Sequence, residues 1–325
     1  HSFPTRRSSD LMVGNTDGKL QEYIGIHGGA QSLLHEGQLI TRDIDASITI
    51  TNNKGDNDFA FRLTYIAGGK LMFSEEKTRF TSVDATSKGK WYNYDGGHFE
   101  SKLLANKQNN AAKTILSLLR GIKVYQFHDT SDTSQMKRKW HKDTDRYLRE
   151  DGGNIATFLY KLQREDGVYY QKILNYIRLV LPFFDDFVFI EEYDWLLLRW
   201  KEKNSTMEFN AAMASDGMLR LIALITLLAQ PPKYLLNALF IDEPELGLHP
   251  YAIDVIANLL SEASEHCQVF VATQSARLVD NFDPENIIVV DRVGRTSQYR
   301  KFEYEELSAW LEDYTMGELW DKNLI

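Results

Sequence analysis

The fold is decided by the stretch Ala238-Leu239-Phe240-Ile241-Asp242-Glu243-Pro244-Glu245-Leu246-Gly247-Leu248-His249-Pro250. It predicts a buried apolar strand that runs directly into two adjacent carboxylates and then into a turn that contains a glycine. Open parallel sheets bind ligands at the carboxyl ends of their strands, so Asp242 is placed where an acid can hold Mg²⁺ through the water shell of the ion. Glu243, one residue on, can polarise a water molecule. For an Asp-Glu pair taken alone, a strand that ends in a solvated acidic turn is the alternative.

Composition limits the class of protein. The 325 residues suffice for one large or two medium domains, and a hydrophobic content of 43% is ordinary for a globular protein. The net charge of -9 gives no global basic field, so long-range attraction to DNA is not expected, although a local basic patch stays open. The single cysteine, Cys267, lies beside an apolar run and is expected to be a reduced structural thiol. No run of about 18 apolar residues and no signal-peptide core occur, so we expect no membrane segment and a cytoplasmic location.

The first eleven residues have an unusual origin. The stretch His1-Ser2-Phe3-Pro4-Thr5-Arg6-Arg7-Ser8-Ser9-Asp10-Leu11 is what one reading frame of a widely used sequencing adapter encodes. We therefore expect these residues to be an adapter-derived artefact, to be left out of fold reasoning. On this expectation, the natural protein was cut upstream of Met12.

Periodicity divides the rest of the chain into segments of different character. Alternating residues from Gln38 to Lys102 predict a meander of antiparallel strands, followed by a helix over 111–119 and a short strand over 122–125. Further helices are predicted over 155–162, 169–181 and 216–229, and strands over 187–190 and 195–200. Strands over 238–242, 268–273 and 287–290, with a helix over 250–264 and a helical turn from 275, then predict a parallel sheet with crossover helices.

Two polar motifs accompany the acidic strand. Ser215-Asp216-Gly217 opens a predicted helix, where a serine can cap the helix, a glycine allows close backbone approach and free N–H groups attract anions. Gln274 lies in Thr273-Gln274-Ser275, which follows the next predicted strand, so its side chain is expected at the same sheet edge as Asp242. Gln274 could therefore contact a γ-phosphate or an attacking water. Plain helix caps are the alternative for both serines.

In this order and spacing, the motifs resemble those of the ABC-type P-loop ATPases of the RecF and SMC class, in the branch called predicted AAA-family ATPases. The resemblance covers roughly residues 20–325. It implies an α/β P-loop NTPase fold, an ABC-type ATPase head with an antiparallel β subdomain and a helical lobe. The segments expected are the adapter-derived residues 1–11, a remnant of the N-terminal lobe with the β meander over 12–120, a helical lobe over 121–205 and a C-terminal ATPase lobe over 206–325.

The resemblance implies ATP and Mg²⁺ as cofactors and a role for each residue around the acidic strand. Asp242 would be the Mg²⁺ carboxylate of the Walker B motif, and Glu243 the catalytic base. Gln274 stands where transporters carry a switch histidine, so an amide would sense the γ-phosphate. Gln126, which follows the strand over 122–125, is the candidate Q-loop residue.

The resemblance also implies a head-to-head homodimer that shares two ATP molecules. Ser215, Asp216 and Gly217 would form the signature motif, which caps the γ-phosphate of ATP held by the partner subunit. The turn that contains Glu245, Gly247 and His249 would be the D-loop, which crosses the dimer interface.

The family pattern includes a P-loop, Gly-x4-Gly-Lys-Ser/Thr, whose N–H groups cradle the phosphates. No such string occurs in the sequence. The segment Gly14-Asn15-Thr16-Asp17-Gly18-Lys19-Leu20 has only three residues between its glycines, and we expect a polar turn there. In the resembled family the P-loop lies in the first tens of residues, so we expect the adapter-derived stretch to have replaced it. The chain as given is then expected to bind ATP poorly and to be inactive.

Two functions follow from the resemblance. The first is an ATPase whose ATP-driven dimerisation acts in DNA repair or maintenance, or in phage defence. The alternative is a nucleotide-gated module that binds DNA, or an effector protein encoded by a neighbouring gene, with little or no hydrolysis.

A nuclease built from the polar segment after residue 127 is less favoured. Its candidate ligands, His128, Asp129, Asp132, His141 and Asp143, are ordinary turn formers in a linking segment. The basic run over 137–142 is expected to be a solvated helix face rather than a nucleic-acid contact.

Overall fold

The structure of the protein is a computed structural model, which describes residues 18–105 and 110–325. The adapter-like stretch His1–Leu11 lies outside the described residues, as do residues 14–17 of the expected polar turn. Gly18 stands in a turn with a φ of +68° just before the first helix. The chain forms two compact units, one ending at Lys123 and the other spanning Val124–Ile325.

The first unit is built on an antiparallel sheet, as the alternating segments predict. Its strands are β1 (Asp43–Asn52), β2 (Gly55–Ile66), β3 (Lys70–Ser82) and β4 (Tyr92–Tyr94), paired in that order. Its helices are α1 (Leu20–Ile26), α2 (Ala30–Leu33) and α3 (Asn110–Arg120). Because side chains alternate along a strand, Phe59, Phe61 and Leu63 of β2 share one face, and all three are buried. Helix α3 packs on β2 and β3.

Strand β5 (Ile122–Tyr125) leads into the second unit. The elements that follow are β6 (Trp140–His141), α4 (Ile155–Glu165), α5 (Gly167–Val180), β7 (Phe184–Phe187), β8 (Trp195–Leu196), β9 (Arg199–Glu202), β10 (Glu208–Asn210), α6 (Asp216–Leu228), β11 (Ala238–Asp242), α7 (Pro250–Ser264), β12 (Gln268–Ala272), α8 (Ala276–Val279), β13 (Ile288–Val293), β14 (Thr296–Lys301), α9 (Tyr304–Leu311) and α10 (Met316–Asp321). The helices predicted from periodicity are confirmed as α4, α5, α6 and α7, and the acidic strand is confirmed as β11.

Helix α6 lies in the core of the second unit. It is apolar on nearly all sides, which is typical of a helix that is surrounded by protein. Leu219, Ile222 and Ile225 are completely buried, and the helix packs against α4, α5 and α7. Pro231 and Pro232 follow its last turn, and proline cannot continue a helix. This packing fixes the first turn of α6 relative to α7.

The sheet that carries the acidic strand has the order β12, β11, β5. Strands β11 and β12 are parallel, with Leu239 opposite Val269 and Asp242 opposite Ala272. Helix α7 is the crossover connection that parallel strands require, and it packs on β12. Residues that follow Asp242 and Ala272 therefore emerge at one edge of the sheet.

Two predicted strands lie elsewhere. The strand predicted over 187–190 is β7, over 184–187, because Phe184 and Phe187 are the buried residues whereas Ile190 is 39% exposed. The strand predicted over 195–200 divides into β8, which pairs with β6, and β9, which pairs with β7 and β10 in an antiparallel sheet.

The parallel sheet also lacks one strand that the sequence assigns to it. The segment predicted over 287–290 forms β13, but β13 pairs antiparallel with β14 instead of joining β12. The two-residue turn Gly294–Arg295 explains the difference, since Gly294 has a φ of +64° and such turns fold a strand straight back. The prediction of a parallel strand there was wrong.

Candidate functional site

Strand β11 ends in the two carboxylates that the sequence singles out. Leu239 and Ile241 are buried and anchor the strand in the core. The Glu243 N–H donates to the Ala272 carbonyl oxygen at 2.8 Å, so pairing with β12 continues one residue past the strand. Glu243 itself has a φ of +44°, a left-handed conformation that costs a residue with a Cβ on the order of 1 kcal/mol. The backbone, and not only the rotamer, thus positions the Glu243 carboxylate.

Asp242 is contacted from the neighbouring strand β5. The Gln126 amide nitrogen donates to Asp242 Oδ2 at 3.3 Å and lies 3.2 Å from His128 Nδ1. The other ring nitrogen, His128 Nε2, lies 3.0 Å from the carbonyl oxygen of Asp242. Gln126 and His128 therefore contact both the side chain and the backbone of the acidic residue.

The segment that carries Gln126 is anchored on its other side. Tyr125 is buried, and its hydroxyl donates to the Leu148 carbonyl oxygen at 3.3 Å. Burial raises the pKa of Tyr125, so the phenol keeps the proton that this hydrogen bond needs. The Gln126 N–H donates to the Glu150 carbonyl oxygen at 3.0 Å. These contacts hold the chain next to β11.

Glu243 is contacted from β12. The Gln274 amide nitrogen donates to Glu243 Oε1 at 2.9 Å, and both side chains are accessible to solvent. The structure thus joins the two residues that the resemblance names as base and phosphate sensor. It places Gln126 and Gln274 on opposite sides of the Asp242–Glu243 pair.

Glu245, in the turn after β11, links that turn to the end of β12. Its Oε1 accepts from Thr273 Oγ1 at 2.7 Å and from the Gln274 N–H at 3.1 Å. Its Oε2 is buried and has no hydrogen-bond partner among the described residues. The turn proposed as the D-loop is therefore attached to Gln274 through one carboxylate.

The start of α6 lies against the same turn. Ser215 Oγ accepts from the Met218 N–H at 3.3 Å, which is the cap that the sequence predicts. A Cβ on Gly217 would lie 2.5 Å from the Gly247 carbonyl oxygen, which is closer than atoms can approach. Gly247 has a φ of +74°, and a Cβ there would lie 2.7 Å from Arg220 Nη1. Gly217 is needed for this close approach, and Gly247 is favoured by its left-handed backbone.

Arg220 lies on α6 and contacts two other segments of the chain. Its Nη1 donates to the Leu246 carbonyl oxygen at 3.3 Å, and its Nη2 donates to the His128 carbonyl oxygen at 3.1 Å. Its Nε donates to the Phe127 carbonyl oxygen at 3.3 Å. One guanidinium thus binds the segment after β5 and the turn after β11 to helix α6.

His249 has a structural role at the end of that turn. Its Nδ1 accepts from the Tyr251 N–H at 3.4 Å and so caps α7, while Pro250 fills the first helical position. Ser215, Asp216, Gly247 and His249 are all at least partly accessible to solvent.

The donor set suits a magnesium ion that is held together with nucleotide. Among the residues that the structure describes, no group of three or more His, Cys, Asp or Glu side chains could hold a metal ion without other ligands. Mg²⁺ is usually bound through one or two carboxylates, with water and substrate phosphates as its other ligands. Asp242, with the Gln126 amide beside it, offers such a partial site.

His128 and His141, the two histidines of the nuclease alternative, contact different parts of the structure. His128 contacts β11, whereas His141 lies 3.5 Å from Asp143 and stacks edge-on against Trp195. The basic run does not form the predicted helix face. It comprises the end of a 3-10 turn and strand β6, and its charges pair with acids: Lys137 with Asp132, Lys139 with Glu192, and Lys142 with Glu191 and Asp194.

From the sequence, His128 is considered only as a ligand of the nuclease alternative, and no contacts are predicted for Arg220. His128 follows Gln126 at a spacing of two, and in an extended chain such residues point to the same side. That spacing was the available signal for His128. Arg220 belongs to the Leu-Arg pair that follows the Ser215-Asp216-Gly217 motif, but its contacts could not be predicted, because its partners are backbone carbonyls that lie far from it in the sequence. Among the described residues, no helix has the length and apolar character needed to cross a membrane.

Comparison with known proteins identifies the family of the chain. The family described as "AAA domain, putative AbiEii toxin, Type IV TA system" matches residues 68–280. No curated protein matches the chain in sequence.

Two solved structures show the fold. One is an SmcHead bound to the C-winged helix domain of ScpA; it is 13% identical, with a TM-score of 0.60 over 93% of this chain and 88% of its own. The other is an Smc head domain with an extended coiled coil, bound to the C-terminal domain of ScpA, from Pyrococcus furiosus; it is 14% identical, with a TM-score of 0.50 over 94% of this chain and 89% of its own. The fold is therefore the mixed α/β fold of the SMC ATPase heads, and with a family match over more than half of its length the chain belongs to this AAA-domain family.

Proposed function

We propose that this protein is an ABC-type ATPase head that binds and hydrolyses ATP. In this proposal Asp242 holds Mg²⁺ through water, Glu243 takes a proton from the attacking water, and Gln274 contacts the γ-phosphate and orients that water. Mg²⁺, when bound, neutralises charge that develops on the phosphates. Gln126 completes the set on the other side of Asp242.

The observation that carries the proposal is the convergence of two amides on two adjacent acids. Gln126 contacts Asp242 and Gln274 contacts Glu243, at 3.3 Å and 2.9 Å, from the strands on either side of β11. The two hydrogen bonds join residues that are 116 and 31 positions apart in the sequence, so only the sheet can bring these side chains together. A strand that merely ended in a solvated turn would not need either amide.

The proposal includes a homodimer that closes around ATP. Ser215 and Asp216 are exposed at the start of α6, where the N–H groups and the helix dipole favour an anion. The exposed Leu246–Gly247 turn lies next to them through the Gly217–Gly247 contact. We propose that these residues face the nucleotide of the partner subunit.

Substitution of the proposed base tests the hydrolysis step. The tests use the full-length product of the gene, because the P-loop pattern does not occur in these 325 residues. Glu243→Gln keeps the size and the Gln274 contact but cannot accept a proton, so turnover should fall by about 10²–10⁴-fold. ATP affinity should change far less, and light scattering should show an ATP-dependent dimer.

The matched control is Glu265→Gln, an exposed glutamate at the end of α7 in the same unit, which should leave turnover unchanged. Unchanged turnover in Glu243→Gln would contradict the assignment of the base. ATP binding without turnover in the unsubstituted protein would favour the nucleotide-gated binding module instead. Stimulation of turnover by added DNA would identify DNA as a partner of the hydrolysing protein.

A further inference from the structure

We infer that His128 is a positioning residue that sets the orientation of the Gln126 amide beside Asp242. The inference rests on the proposed function, because it concerns the same site, and it names a residue to which that function assigns no role. It follows from the hydrogen-bond partners of the two ring nitrogens.

The chemistry of its partners determines which nitrogen of the His128 ring carries the hydrogen. His128 Nε2 lies 3.0 Å from the Asp242 carbonyl oxygen, and a carbonyl oxygen only accepts. Nε2 must therefore carry the hydrogen of this bond. In the neutral ring, Nδ1 then has a lone pair and accepts.

The orientation of Gln126 follows from that of the ring. The group 3.2 Å from His128 Nδ1 must be a donor, so it is the amide nitrogen of Gln126 and not its oxygen. The same nitrogen has a second hydrogen, which it donates to Asp242 Oδ2 at 3.3 Å. Rotation of the amide by 180° would place an acceptor against two acceptors, which costs the hydrogen bonds on both sides.

His128 is itself held at the backbone. Its carbonyl oxygen accepts from Arg220 Nη2 at 3.1 Å, and its ring is half-buried. The chain of contacts is therefore continuous from Arg220 through His128 to Gln126 and Asp242. This support holds the backbone of His128 and leaves both ring nitrogens for Gln126 and Asp242.

Two conservative substitutions separate the two ring nitrogens. Asparagine can place an amide near the position of Nδ1, whereas glutamine can place one near Nε2. His128→Asn therefore keeps an acceptor for Gln126, and His128→Gln keeps only a donor for the Asp242 carbonyl. If His128 acts through Gln126, His128→Ala should lower kcat by about 10-fold with little change in the KM for ATP, and His128→Asn, but not His128→Gln, should restore most of the loss.

A double-mutant cycle gives the decisive comparison. In a Gln126→Ala background, His128→Ala should have no further effect on kcat, because the group that it positions is gone. Independent, multiplicative effects of the two substitutions would overturn the inference, as would rescue by His128→Gln alone.

The tautomer can be measured without turnover, by ¹⁵N NMR of the histidine side chain in the folded protein. A hydrogen on Nε2 is the expected result, and a hydrogen on Nδ1 would overturn the inference even if a variant fails to fold. A protein that hydrolyses no ATP but shows the Nε2–H form would contradict the proposed function and leave the positioning of Gln126 standing. Hydrolysis together with the Nδ1–H form would do the reverse.

Discussion

Gly217 stands where the start of α6 meets the turn after β11, and no other residue type fits there. An added Cβ would lie 2.5 Å from the Gly247 carbonyl oxygen, which is backbone and cannot rotate away. Gly217→Ala should therefore push α6 and the turn apart, at a cost of about 1–3 kcal/mol in the free energy of unfolding. Urea unfolding followed by circular dichroism measures this cost.

Gly167→Ala is the matched control for that substitution. Gly167 begins α5 in the same unit, and an added Cβ there would meet nothing within 4 Å. Alanine should be neutral or stabilising at Gly167, by up to about 1 kcal/mol. Equal effects of the two substitutions would show that the Gly217–Gly247 approach is not as close as described.

At the scale of single residues, the sequence predicts which residues lie at the sheet edge better than it predicts which of them contact each other. Asp242, Glu243 and Gln274 are found from the strand pattern alone, because the ends of parallel strands meet at one sheet edge. Gln274 pairs with Glu243, whose backbone is left-handed, and no local sequence pattern predicts that backbone conformation. His128 reads as a turn former until β5 is known to lie beside β11.

The first turn of helix α6 is expected to serve both stability and nucleotide contact, and one substitution separates them. Aspartate is as good a helix cap as serine and also favours the helix dipole, so Ser215→Asp should keep the stability of the protein to within about 0.5 kcal/mol. Its negative charge would repel a phosphate, so ATP-dependent dimerisation of the Glu243→Gln protein should be lost. Ser215→Ala should instead cost about 1 kcal/mol of stability, because the bond to the Met218 N–H is removed.

Thermal unfolding and light scattering with ATP measure the two properties on the same samples. A stable Ser215→Asp protein that still forms the ATP-dependent dimer would contradict the assignment of α6 to the dimer interface. It would leave the role of Ser215 as a helix cap untouched.

Whole helices could be predicted where a periodic pattern of apolar residues extends over several turns. Helices α6 and α7 have continuous apolar patterns and end at prolines or begin at them, so their bounds follow from the sequence. Strand β13 was assigned to the wrong sheet because its partner is chosen by the turn that follows it and not by its own residues. The basic run over 137–142 was assigned to a helix because strand β6 within it is only two residues long, and two residues show no alternating pattern.

At the scale of the whole molecule, the single cysteine reports on the integrity of the second unit. Cys267 is partly buried between α7 and β12, and it packs against the core of that unit. Burial raises the pKa of the Cys267 thiol, so less of it is the reactive thiolate at neutral pH. Its reaction with a chromogenic disulfide should therefore be at least about 10-fold slower in the native protein than in urea.

Absorbance during the reaction gives both rates. The control is Cys267→Ser combined with Ser264→Cys, which moves the thiol to an exposed position at the end of α7. That thiol should react at similar rates with and without urea. Equal native and unfolded rates for Cys267 itself would mean that the core of the second unit opens readily.

The whole-molecule fold could be predicted as α/β with a β meander, because composition and the alternation of strand and helix limit the choices. From the sequence, segment boundaries are expected after residues 120 and 205, and the compact units divide after Lys123. The exact position of such a division depends on which contacts the chain makes and not on linker composition.

The left-handed backbone at Glu243 has an evolutionary consequence. Glycine adopts a φ of +44° without steric penalty, and glutamate and glycine codons differ by a single base. Glu243→Gly would remove the proposed base and relieve the backbone strain at that position, so the free energy of unfolding would change little. One point mutation could thus produce a protein that folds normally but no longer hydrolyses ATP, and selection for stability alone would not remove it.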